Sequence, residues 1–268
     1  MSFDDDLASA LSISKLPPAF LEFLQANEID PQIYTIRDLP RYIRLNTQHS
    51  RLPTREELEE QLGTKLWSVD GIDGFYGLNG RSRIVDCIAY KEGKIFGIDL
   101  SSGIAVCALD IQPDDHILDL CCAPGAKLCM ASNILGVSGC GTITGVDISR
   151  ERISTCRSLI KKYKIGRARL FIADGTSFSV LAPSFLDPIR RMNGENCVAE
   201  VTSKSRDGKF KVQENGELQQ DPLQPFWAPK TLRNDPQIRS PEFLYDKVIV
   251  DAECTHDGSI SHILKASN

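Results

Sequence analysis

Between residues 116 and 173 short apolar runs bounded by turn residues alternate with helical stretches. The pattern predicts strands over 116–120, 142–147 and 169–173, with helices over 126–135 and 149–163 between them. On the second helix Ile153, Cys156, Ile160 and Tyr163 recur at helical spacing and define one buried stripe. Strand and helix in strict turn predict a parallel sheet covered by helices, an α/β core. A further apolar run over 243–254 ends in polar residues and reads as a fourth strand.

The first hundred residues have a different grain. Residues 17–27 read as a short helix opened by Pro17 and Pro18. Residues 53–62 read as a second helix with Thr54 as N-cap, Glu57 as its capping-box partner and Gly63 as the stop. Glycines at 71, 74, 77, 80 and 93 then divide 66–100 into short strands, which suits a small α+β domain. Asp99, Ser101 and Ser102 stand before an apolar run as at a helix start. The boundary is placed here, giving an accessory domain over 1–100 and a second domain over 101–268. Residues 187–243 are polar, Pro-rich and read as an insertion, with a hairpin around Arg206, Asp207 and Gly208. Its Phe226 and Trp227 are anchors that either pack on the domain or stack on a base.

Composition narrows the class without deciding it. With 268 residues, 41% hydrophobic and 25% charged, the chain is that of a globular enzyme, and no apolar run is long enough to cross a bilayer. Its amino terminus, with Asp4, Asp5 and Asp6, is acidic and lacks the plan of a secretory signal, so an intracellular location is expected, whether nucleus, cytoplasm or organelle. Nine irregularly spaced cysteines then read as reduced thiols, and Cys121, Cys122 and Cys129 lack zinc-ligand spacing, so no metal is expected. A net charge of −5 does not exclude nucleic acid, because Arg37, Arg41, Arg44, Arg51 and Arg55 cluster among Tyr34, Tyr42 and His49. Such a run is either a solvated face or a phosphate-contacting surface. For Arg150, Arg152, Arg157, Lys161, Lys162 and Lys164, which fall largely off the buried stripe, a solvated face is the simpler reading.

The chemistry concentrates where the first core strand gives way to its helix. Asp119 to Lys127 form a tight bend in which Pro124 and Gly125 let backbone approach a ligand, the place where open α/β sheets bind cofactors. The bend has neither the Gly-x-Gly-x-x-Gly spacing nor a Gly-Lys-Ser/Thr ending, so a pyrophosphate is disfavoured. Asp147, ending the next strand, suits two ribose hydroxyls. An adenosine-containing cofactor without a pyrophosphate points to S-adenosyl-L-methionine. Asp174, one strand on, is either an adenine contact or an ordinary Asp-Gly turn.

The run Cys121-Cys122-Ala123-Pro124-Gly125-Ala126-Lys127 closely resembles the cofactor loop of the Sun/RsmB-type RNA cytosine-5 methyltransferases, although that loop usually has Gly where Ala126 stands. Arg44-Leu45-Asn46-Thr47 resembles the Arg-Val-Asn-Thr strand that begins the same family's accessory domain. The segment around Asp99 matches the lead into its core in part, with Ile98 replacing a frequent Gln. Asp251-Ala252-Glu253-Cys254 resembles its Asp-Ala-Pro-Cys motif, with Glu253 in the place of proline and a divergent continuation.

The resemblance implies a Rossmann-like core with sheet order 3-2-1-4-5-7-6, of which this chain supplies the first four strands, the fourth standing as an exposed edge. It implies RNA, tRNA or rRNA, as partner. It assigns S-adenosyl-L-methionine contacts to Cys121, Cys122, Ala123, Pro124, Gly125, Ala126, Lys127, Asp147, Arg152, Asp174 and Asp251. In that chemistry a thiolate adds to carbon 6 of cytosine, carbon 5 then takes the methyl group, and a base removes the carbon 5 proton to release the enzyme. Cys254 corresponds to the release cysteine and Asp251 to the group near N3. The nucleophilic Thr-Cys motif has no counterpart, since Thr155-Cys156 lies on the amphipathic helix. The expectation is therefore weakened cofactor affinity and negligible methyl transfer; the alternatives are a noncatalytic RNA-binding protein and a methyltransferase acting on another substrate.

Overall fold

The computed structural model describes residues 13–35, 39–183, 223–233, 244–252 and 254. The hairpin expected around Asp207 lies outside them.

Two four-stranded sheets lie in succession along the chain. The first is antiparallel and runs β2-β3-β1-β4, built from β1 (Arg41–Leu45), β2 (Trp67–Ser68), β3 (Phe75–Leu78) and β4 (Ile95–Gly97). One face packs through Ile43, Leu78 and Ile95 on Leu58 of helix α2 (Arg55–Leu62) and Ala89 of α3 (Ile88–Lys91). The other face sends Phe75 and Phe96 into the main core. A helix α1 (Pro18–Ala26) precedes the sheet and has its own small cluster of Leu16, Leu24 and Tyr34.

The capping box at α2 forms as the sequence dictates. Thr54 Oγ1 accepts from the Glu57 amide at 3.2 Å, Glu57 accepts from the Thr54 amide at 3.0 Å, and Gly63 ends the helix at φ 62°. Thr54→Ala is expected to remove about 1 kcal/mol of stability, read as a lower urea midpoint at unchanged slope. The run 66–100 is not all strand: a 3-10 turn (Ile84–Asp86) and α3 interrupt it before β4. These elements are too short to show a helical period, so glycine punctuation alone dominated the sequence pattern.

The second sheet is parallel, with order β7-β6-β5-β8: β5 (His116–Asp119), β6 (Thr142–Asp147), β7 (Ala168–Ile172) and β8 (Lys247–Ile249). Helix α4 (Leu100–Cys107) leads into it, while α5 (Ala126–Leu135) and α6 (Arg150–Lys162) make the crossovers. Strand β6 is buried at every position, as befits a strand covered on both faces. Ile117, Ile143 and Leu170 point to α5 and α6, whereas Leu118, Val146 and Phe171 meet Val180 and Tyr245 on the opposite face. This is the Rossmann-like arrangement expected from the sequence, and in it β8 is the outermost strand on one side among the described residues.

On the far side, Trp227 exchanges two backbone hydrogen bonds with Leu170, at 2.8 and 3.3 Å, just before a short helix α7 (Lys230–Arg233). Phe226 lies beneath the guanidinium groups of Arg150 and Arg157, 5.9 and 5.2 Å from its ring centre. Both aromatics therefore anchor their segment to the core. No helix of the described residues is long and apolar enough to cross a membrane.

Candidate active site at the carboxyl ends of the parallel strands

Parallel strands turn their carboxyl ends to one edge of the sheet, and the loops leaving that edge collect the polar residues. The loop after β5 is pinned by backbone bonds from the Leu120 amide to Ile249 (3.1 Å) and from the Cys122 amide to Val146 (2.9 Å). Gly125 turns the chain at φ 111° to start α5, and the Ala123–Pro124 peptide is cis. The Asp147 carboxylate, 5% exposed, accepts from the Ala123 amide at 3.1 Å on one oxygen and from the Ser149 amide at 2.9 Å on the other. Arg152 donates to the Ala123 carbonyl at 2.8 Å, and Ser149 caps α6. Asp147 and Arg152 thus clamp the bend between two helix starts.

Lys127, on the first turn of α5, reaches Asp251 after β8 with a 2.6 Å ion pair. Asp174 is exposed and closes an Asx turn on Thr176, whose hydroxyl and amide hold its carboxyl below the usual range. That turn still abuts the bend, since a Cβ built at Gly175 would lie 3.1 Å from the Leu120 carbonyl oxygen. The structure therefore gathers Cys121 to Lys127, Asp147, Arg152, Asp174 and Asp251 at one edge. Cys254 follows in chain order and is exposed. Cys156 is wholly buried beneath the bend, its sulfur 3.8 Å from that of Cys122, where it serves packing.

Two residues that the sequence pattern did not single out complete the region. Asp119 ends β5 at 1% exposure, and neither carboxylate oxygen has a hydrogen-bond partner among the described residues. Burial pushes its pKa up to about 7, with the Cys121 amide and Lys127 pulling it partly back. Asn133, on α5, accepts from Arg44 and from Thr47 (3.0 Å), donates to Asn46 (2.8 Å), and its backbone carbonyl accepts from Gln48 (3.2 Å).

This network corrects one expectation. Arg44 is 7% exposed and faces α5, so it is not part of a phosphate-contacting surface. Its strand pairs Arg44 with Phe75 and Phe96, the face that joins the main core. Of its neighbours, Arg51 is ion-paired with Glu57 and Arg55 with Glu59, whereas Arg41 is exposed and donates to the Ser82 carbonyl.

Residues 106–224, from the end of α4 to well past β7, match the family model described as 16S rRNA methyltransferase RsmB/F. Over that segment, a little under half of its length, the chain is similar to the RsmB/F methyltransferases. Similar proteins include the tRNA (cytosine(49)-C(5))-methyltransferase of Pyrococcus abyssi (strain GE5 / Orsay), 28% identical over 149 residues, which are 54% of this chain and 47% of that protein. They also include the 28S rRNA (cytosine-C(5))-methyltransferase of Mus musculus, 26% identical over 189 residues, 69% of this chain and 22% of that protein. The chain spans about half the length of these relatives or less. Among solved structures, NSun6 from Pyrococcus horikoshii with SFG aligns with a TM-score of 0.51 at 15% identity, over 61% of this chain and 67% of that one. At that identity the likeness is one of fold, the Rossmann-like one.

Proposed function

We propose that this chain binds S-adenosyl-L-methionine at the carboxyl ends of β5, β6 and β8 and supplies the donor site for methyl transfer to carbon 5 of a cytosine in rRNA or tRNA, with negligible transfer expected of the chain by itself because the nucleophilic Thr-Cys motif has no counterpart in it. The observation that carries the reading is the bend from Cys121 to Lys127, held open between Asp147 and Asp251 at the edge where four parallel strands end. The match to the family model over 106–224 and the names of the relatives support the substrate class.

The donor set fits such a ligand. Each Asp147 oxygen takes one amide and keeps a second lone pair, enough for a pair of ribose hydroxyls. Gly125 brings backbone close without a side chain in the way. Three carboxylates, Asp119, Asp147 and Asp251, outnumber the nearby Lys127 and Arg152, a balance that suits a cation. When bound, the donor supplies an electrophilic methyl group on a sulfonium. Arg152 fixes the loop carbonyl, Lys127 orients Asp251, and Asp251 is the group proposed for the N3 edge of the cytosine. Cys254, two residues after Ala252 and open to solvent, is the thiol assigned to product release.

Calorimetric titration with S-adenosyl-L-methionine tests the site, and transfer of labelled methyl groups to total RNA tests the chemistry. Binding that is abolished by Asp147→Ala is expected. Absence of any uptake by a folded sample would sink the reading.

A further inference from the structure

Asp119 is a charge without an assigned task. Its oxygens are sealed beneath the bend, with no hydrogen-bond partner among the described residues, at the strand end from which the proposed donor loop departs. The ionisable groups facing it are the Cys121 and Cys122 thiols on the loop, Lys127 and the Cys129 thiol on α5, Asp147 ending β6 and Asp251 following β8, while Arg152 of α6 acts on Cys121. Lys127 is already committed to Asp251 at 2.6 Å, and both Asp147 oxygens hold amides. Asp119 alone of the three carboxylates has neither a hydrogen-bond nor an ion-pair partner among the described residues, although the nearby Cys121 amide and Lys127 favour its charge.

We propose that Asp119 distinguishes the methyl donor from its demethylated product by charge, being ionised beneath a ligand of net positive charge and protonated beneath a neutral one. This rests on the donor reading above and adds a specificity-determining role to a residue outside the contact set. Asp119 acts through its field, because its oxygens do not reach the surface, and the low dielectric of the buried loop keeps that field unscreened. S-adenosyl-L-methionine carries a sulfonium, an ammonium and a carboxylate, a net charge of +1, whereas S-adenosylhomocysteine has lost the sulfonium charge and is neutral. Donor binding therefore expels the Asp119 proton to solvent, and loss of the methyl group restores it, which weakens the hold on neither the ribose nor the adenine but removes the electrostatic preference for what remains. Since burial sets the proton on Asp119 near neutrality, the linkage falls in an accessible range.

Calorimetry of both ligands at pH 6 and pH 8, in buffers of unlike ionisation heat, tests the idea. Donor affinity is expected to be about tenfold weaker at pH 6, the ionised fraction of a group titrating near 7 falling by about that factor, with about half a proton released per donor at pH 7. Product affinity is expected to stay within about twofold, and Asp119→Asn to flatten the donor profile. Equal donor affinity at the two pH values, a parallel fall for both ligands, or a slope that survives in Asp119→Asn overturns the proposal. The comparison of the two ligands on the wild-type chain stands even if the variant misfolds. No heat from either ligand at pH 8 overturns the donor reading and this inference together, whereas tight binding of both without pH dependence overturns this inference alone.

Discussion

Asn133→Leu is expected to destabilise the protein by about 3 kcal/mol or more, a large part of the stability of an ordinary domain. Leucine is close in volume, so the loss comes from hydrogen bonding. Three side-chain bonds vanish, and the Arg44 guanidinium, whose Nε already has no partner among the described residues, is left in an apolar seam between the small sheet and α5. Burial lowers the Arg44 pKa even with Asn133 in place, a sign that its charge is poorly solvated there. Urea denaturation gives the loss directly. The double variant with Arg44→Met removes the stranded cation and should recover part of it, with an interaction energy on the order of 1–3 kcal/mol. A loss below about 1 kcal/mol for Asn133→Leu would show that the seam tolerates the unpaired cation.

Gly125→Ala is expected to weaken donor binding at least about tenfold, because residues other than glycine held at positive φ store roughly 1–3 kcal/mol of strain. Gly125 sits at φ 111°, ψ 7°, and an added Cβ would stand 2.7 Å from the Cys156 sulfur and 3.3 Å from its Cα. The loop has to lift, and lifting it pulls the Ala123 amide from Asp147. Adding Cys156→Ala separates the two effects: the clash with sulfur disappears, while the dihedral strain stays. Partial recovery of affinity in the double variant is the expected result, measured by the same titration. Full affinity in Gly125→Ala alone would mean that the bend does not hold the donor.

Much of the α/β core could be read from sequence because its signals are local. A strand buried on both faces, such as β6, is a continuous apolar run, and the stripe of Ile153, Cys156 and Ile160 on α6 needs only helical spacing. The capping box at Thr54 is equally local. Arg44 and Asn133 failed the same test, since what decides their roles is each other, across 89 positions. An arginine among arginines looks solvated until the partner helix is in place, and an asparagine in an apolar helix looks like noise. Asp119 was passed over for a related reason. Its sequence position at the end of an apolar run marks a strand tip, but only the closed loop above it reveals that both oxygens are sealed from solvent without a hydrogen-bond partner among the described residues.

The two flanks of the parallel sheet are finished differently. Trp227 lays its backbone against Leu170 and occupies the outer rim of β7, so no further strand can join there without displacing it. Beside β8, the outermost strand on its side among the described residues, Val248 and Val250 are 48% and 58% exposed and form an apolar margin. Among the described residues, room for a further strand is thereby left on the β8 side alone.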